Sequence, residues 1–248
     1  MKKTILSICV SLCSIAFAFC QETLTLDLAF EKANYPIFPS SRKWGRNSTE
    51  DLKVSTSFMK NNFNEESLSY DVVGFNHDEE KWITSGTAEY EFSIYEAWVS
   101  KQCMCFVIGR TGYEGDMDAE PYQVFLYITD LHGKLLNKTR IFSESVYGWQ
   151  YYLDYVITSE NTFILFKYGL NDDNYTYVDY NGDFIVSCSQ LIDKTKPWGK
   201  VEICEYSIKS DGSIEKGKCS TVLTKETNEG SRYRFSQMDD DPMLKYKK

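Results

Sequence analysis

Three short runs of this chain are apolar at consecutive positions: "CMCFVI" (103–108), "VFLYI" (124–128) and "FILF" (163–166). Successive side chains of a strand point to opposite faces, so each run buries both faces and needs cover on each side. Before these runs the pattern alternates, in "SYDVVGF" (69–75) and "KWITSGTAEYEFSIYEAWV" (81–99). "WQYYLDYVI" (149–157) also alternates, setting Trp149, Tyr151, Leu153, Tyr155 and Ile157 on one face and leaving a wetter face opposite. With 18 Tyr, 15 Phe and only 5 Pro, the composition favours strands over disorder. The expected class is all-β.

A repeat refines this expectation. "FLYITDLHGKLL" (125–136) and "TYVDYNGDFI" (176–185) align with Asp130 on Asp179, His132 on Asn181 and Gly133 on Gly182. Each copy runs from a buried strand through an acidic loop to a strand, an Asp-x-x-Gly turn and a further strand. A degenerate copy precedes them at 72–86, and a short one follows at Asp211-Gly212. Short strands recurring about every 50 residues suggest repeated antiparallel meanders, propeller-like, with about four blade-like units. A β-sandwich with recurring hairpins is the alternative. In the turns, glycine supplies positive φ and Asp bonds backbone amides two residues on. That geometry puts His132 at an exposed tip, a poor place for a catalytic base.

Residues 1–20 read as a cleaved signal peptide: Lys2 and Lys3, the apolar "TILSICVSLCSIAFAF", then "AFA" at 16–18. Cleavage falls after Ala18 or after Cys20. Lipidation of Cys20 is disfavoured by the bulky Phe19 before it. No later run reaches the roughly 18 apolar residues of a spanning helix. The chain is therefore expected to be exported, to the periplasm, the cell surface or the exterior, without a membrane span. Residues 21–66 hold a strand at "LTLDLAF" (24–30), a loop, and a short helix capped at Ser48 or Thr49 with Leu52, Ser55 and Phe58 on one face. The β domain spans 67–235, and 236–248 reads as a flexible charged tail.

Export makes paired cysteines the default. "EICEYSIKSDGSIEKGKCS" reads as a hairpin turning at Asp211-Gly212. Equal steps outward from that turn place Cys204 opposite Cys219, within disulfide reach. A longer turn would shift the register. Cys103 and Cys105 share one strand face and are read as buried thiols, or as partners of Cys188.

A net charge of −9 without a basic stripe argues against nucleic acid as a partner. Nucleophile-elbow, phosphate-loop, zinc-helix and dinucleotide motifs are absent, and His77 and His132 are the only histidines. The expected function is non-catalytic binding, although a hydrolase using two carboxylates leaves no spacing signature. The loops "YEGDMDAEP" and "LNDDN" occupy equivalent places in the two copies. They should gather Glu114, Asp116, Asp118, Glu120, Asp172 and Asp173 on one acidic rim. Such a rim suits a protein partner or Ca²⁺, which takes six to eight oxygens. "DYNGD" (179–183) fails the calcium-loop pattern because Phe184 stands where glycine is needed. The aromatic cluster "VYGWQYY" offers Trp149 and Tyr151 for a glycan partner. No other cofactor is expected.

Overall fold

The computed structural model describes residues 35–38, 52–100, 102–112, 122–144, 151–170, 175–178, 188–191, 195–197, 199–224 and 241–246. Nine strands form one antiparallel sheet in the order β1-β4-β5-β6-β7-β8-β9-β12-β13. They are β1 (Leu52–Val54), β4 (Glu91–Val99), β5 (Cys103–Thr111), β6 (Tyr122–Asp130), β7 (Leu135–Glu144), β8 (Tyr151–Ser159), β9 (Thr162–Leu170), β12 (Gly199–Ile208) and β13 (Ile214–Thr224). Two hairpins stand apart, β2 (Ser69–Asn76) with β3 (Lys81–Glu89), and β10 (Tyr175–Val178) with β11 (Cys188–Leu191). The all-β expectation holds.

The two-faced runs are buried on both faces. Cys103, Cys105 and Val107 of β5 and Val124, Leu126 and Ile128 of β6 enter an inner core. Their neighbours Phe106, Ile108 and Tyr127 enter an outer one. Helix α1 (Thr56–Phe63) covers that outer face with Met59 and Phe63. Its N-cap is Ser55, whose Oγ accepts from Phe58 N–H at 3.1 Å, not Ser48 or Thr49. Leu52–Val54, expected inside the helix, pairs instead with β4, where a β-branched residue fits better.

The inner face is covered by the sheet itself. Five strand spacings of ~4.8 Å would hold β5 and β12 about 24 Å apart in a flat sheet. Yet Cys103 Sγ lies 3.7 Å from Ser210 O at the β12–β13 tip, and Asn137 Nδ2 donates to Gly212 O at 3.3 Å. Trp98 Nε1 of β4 likewise donates to Glu160 O at 2.9 Å. The sheet bends where β7 meets β8, which pair only through Ser143–Leu153 and Glu144–Tyr152. Beyond that corner the two lobes face each other across the inner core, with Tyr155, Ile157, Phe166, Tyr168, Val201 and Ile203 opposite β5 and β6. Ile37 is bridged to Ile157 by two backbone hydrogen bonds of 2.9 and 3.0 Å.

This continuous sheet corrects the blade-like reading. β5, β6 and β7 do pair consecutively, as one copy of the repeat requires. In the second copy β9 pairs with β8 and β12, the latter over nine residues from Gly199–Leu170 to Ser207–Thr162. Both edges of β9 are thus occupied, and the four-residue β10 pairs with β11 outside the large sheet. A long ladder outcompetes a short one, because each extra pair adds hydrogen bonds and cross-strand contact. Among the described residues the structure shows no closed barrel and no propeller.

Two further expectations change. β8 has no wet face over its centre: Asp154 and Val156 are as buried as Tyr155 and Ile157, and Asp154 Oδ1 accepts from Tyr155 N–H at 2.8 Å. At the chain end, where the sequence suggests a flexible tail, Pro242–Tyr246 forms a 3-10 turn. Met243 is fully buried in the inner core, and Asp241 accepts from Tyr168 Oη at 2.6 Å.

Cys204 and Cys219 are opposite each other and bonded, as expected, but by a different route. The turn closes through Lys209 N–H to Ser213 O at 2.9 Å and Gly212 N–H to Lys209 O at 3.0 Å, with Gly212 at φ +79°. It is one residue longer than expected, so Ile208 faces Ile214 and Tyr206 faces Lys216. A bulge between Cys204 and Tyr206 then restores the register. Removing both cysteines (Cys204→Ala with Cys219→Ala) should cost ~3 kcal/mol for a closed loop of this length, measured by denaturant unfolding. Under denaturing, non-reducing conditions a thiol reagent should label Cys103 and Cys105 but neither Cys204 nor Cys219.

Candidate functional site

The antiparallel order assigns each connection to one end of the sheet or the other. β5 ends at Thr111 and β6 begins at Tyr122; β7 ends at Glu144 and β8 begins at Tyr151; β9 ends at Leu170. All five positions share one end. The turns at Asp130–Lys134 and Lys209–Ser213 share the other. Asp130 Oδ1 accepts from His132 N–H at 2.8 Å and Lys134 N–H at 2.9 Å, and Gly133 has φ +87°. Backbone donors hold the Asp130 carboxyl below its ordinary range. His132 is an exposed turn residue, and His77 is exposed in the β2–β3 connection.

The residues expected to form the rim (Glu114, Asp116, Asp118, Glu120, Asp172 and Asp173) lie outside the described residues, as does Trp149. Tyr151 opens β8 opposite Gly169, and its side chain is likewise outside the described part. Among the described residues no group of three His, Cys, Asp or Glu side chains is placed to hold a metal ion. Cys103 and Cys105 are free and buried; burial, and then Cys103 beside it, pushes the Cys105 thiol up to about 12. That suits a packing role rather than a reactive one.

A polar cluster that local sequence patterns do not announce lies on the outer face of β5–β7. Glu65, just beyond α1, is 5 % exposed. Its carboxylate accepts from Tyr127 Oη, from Lys138 Nζ at 2.5 Å and from Ser67 N–H at 3.0 Å. Burial raises the Glu65 pKa, but the bonds from Lys138, Tyr127 and Ser67 outweigh it and hold the carboxyl below its ordinary 4.5. Burial, and then the Glu65 carboxylate, holds the Tyr127 phenol far above its ordinary range. A carboxylate so enclosed locks the chain after α1 onto the sheet.

Nearer the loop end of the same face stands Arg110. Its Nε donates to Gln123 Oε1 and its Nη1 to Ser67 Oγ, both at 2.9 Å. Its guanidinium carbon lies 4.4 Å from the Tyr90 ring centre and 5.0 Å from that of Phe125. Lys138 Nζ is 4.4 Å from the same Phe125 ring, and Arg140 sits opposite Phe125 in the β6–β7 register. The only local hint in the sequence is an arginine at the end of an apolar strand, "CFVIGR". Its partners are separated from it by 13 and 43 residues.

Glu65→Gln should destabilise the fold by ~2–3 kcal/mol near neutral pH, because a charged acceptor of three donors is lost. Since the folded-state pKa of Glu65 is lowered, its contribution is complete above the unfolded value and disappears as pH falls through the folded one. The gap between the wild-type and Glu65→Gln unfolding midpoints should therefore be constant above about pH 5.5 and shrink below about pH 4.5. No family model, no curated protein and no solved structure matches the chain.

Proposed function

We propose that this chain is an exported, non-catalytic binding module that engages a protein partner through acidic loops at one end of its sheet. The supporting observation is the shared position of Thr111, Tyr122 and Leu170. These are the strand ends from which the segments carrying Glu114, Asp116, Asp118, Glu120, Asp172 and Asp173 depart. Carboxylates concentrated on one rim favour a partner of complementary basic charge and speed its encounter. Export is supported by the charged and apolar start of the chain, and the Cys204–Cys219 bond is compatible with an oxidising compartment. The described residues contain no helix long and apolar enough to cross a membrane.

A carbohydrate- or Ca²⁺-binding module is the second reading. It is favoured by Tyr151, which opens β8 at the same end of the sheet and follows Trp149 by two residues in the sequence. Affinity capture from the exported fraction of the source cells, followed by titration of the captured partner, separates the two. The protein-partner reading expects calcium-independent binding that weakens ~10-fold or more when Asp116, Asp118, Asp172 and Asp173 are all changed to Asn. Equal affinity of the two forms would sink it. A calcium- or glycan-dependent rise in melting temperature would transfer the function to the second reading.

A further inference from the structure

We infer that the outer face of β5–β7 carries a separate recognition site, centred on Arg110, for an acidic saccharide. Arg110 is half-buried, and among the described residues no carboxylate pairs with it. A partly desolvated guanidinium ordinarily has an anionic partner, because neutral acceptors compensate its charge incompletely. Here the hydrogen-bond acceptors are an amide and a hydroxyl, and the flanking groups are two rings. Lys138, beside Phe125, is paired with Glu65, so of these three charged groups it is Arg110 that lacks a counter-charge among the described residues. A guanidinium held this way by neutral groups points to an anion supplied from outside.

The surroundings narrow the class. Tyr90 and Phe125 flank the guanidinium and hold its orientation, so recognition falls to its nitrogens. Tyr70, whose ring centre is 4.9 Å from that of Tyr90, joins them as a half-exposed aromatic surface. Ser67 and Gln123 add a hydroxyl and an amide beside it. Half-exposed rings accept the C–H face of a sugar, small polar side chains exchange hydrogen bonds with its hydroxyls, and the guanidinium binds its carboxylate or sulfate. An acidic peptide would ordinarily use an exposed sheet edge or an apolar groove. β5 and β6 have neither edge free, each being paired on both sides.

The test titrates the full exported chain by calorimetry with trigalacturonate, maltotriose, sodium sulfate and a tetraglutamate peptide. Trigalacturonate should bind, and maltotriose and sulfate should bind far more weakly. Arg110→Gln, checked for a retained unfolding transition, should weaken trigalacturonate binding ~10-fold or more. In the unmutated protein trigalacturonate should protect Arg110 from phenylglyoxal, which keeps the inference testable if Arg110→Gln does not fold. The rim variant with Asp116, Asp118, Asp172 and Asp173 changed to Asn should keep its trigalacturonate affinity, so this site and the proposed protein-binding rim fail independently. Absence of both binding and protection overturns the inference. So does affinity indifferent to Arg110, sulfate binding as tightly as the trisaccharide, or tighter binding of tetraglutamate at Arg110.

Discussion

The structure depends on the need of β5 and β6 for cover on both faces. Val107 and Leu126 are fully buried on one side, and Phe106, Ile108 and Tyr127 are buried on the other. Helix α1 supplies the outer cover through Met59 and Phe63. On the inner face the described residues supply only the 3-10 turn at Pro242–Tyr246, through Met243, so the sheet folds over and uses its own far lobe. The corner at Ser143–Leu153 and Glu144–Tyr152 allows this, because β7 and β8 pair only there and then diverge. Apolar area removed from water at ~25 cal/mol per Å² sustains such a fold without the geometric closure of a barrel.

Two details show how this constraint reaches the surface. Folding the lobes together brings the β12–β13 tip against Cys103, Leu136 and Asn137. A Cβ on Gly212 would come within 2.6 Å of Leu136 Cβ. Gly212 thus meets two demands, positive φ in the turn and close approach to β7. The outer cover likewise anchors the chain after α1, where Glu65 bonds Tyr127 and Lys138. Ser67 in that same segment reaches Arg110. The polar groups on this face are positioned by the apolar packing beneath them.

Much of the strand content was legible because alternation and two-faced runs act within a few residues. The Asp130 and Asp211 turns were legible for the same reason, since each carboxylate bonds amides two or more residues ahead. The repeat was less informative than it looked. "YTYV" resembles "YQVFLYIT", but four residues cannot displace the ladder that β9 forms with β12. Buried Asp154 was illegible: alternation put it on a wet face, and only the fold brings cover there. The Glu65 and Arg110 clusters were illegible too, because their partners come from segments up to 73 residues away.

The sequence by itself determined the all-β class, most strand positions and the chemistry of the glycine turns. These follow from local sterics and from the two-residue period of a strand. Cys204, by contrast, faces Cys219 only because a bulge offsets a turn one residue longer than the sequence suggests. The tertiary structure alone decided strand order, the fold of the sheet at β7–β8 and the company that Arg110 and Glu65 keep. Those outcomes rest on competition between distant segments for the same edges and faces, which no local pattern records.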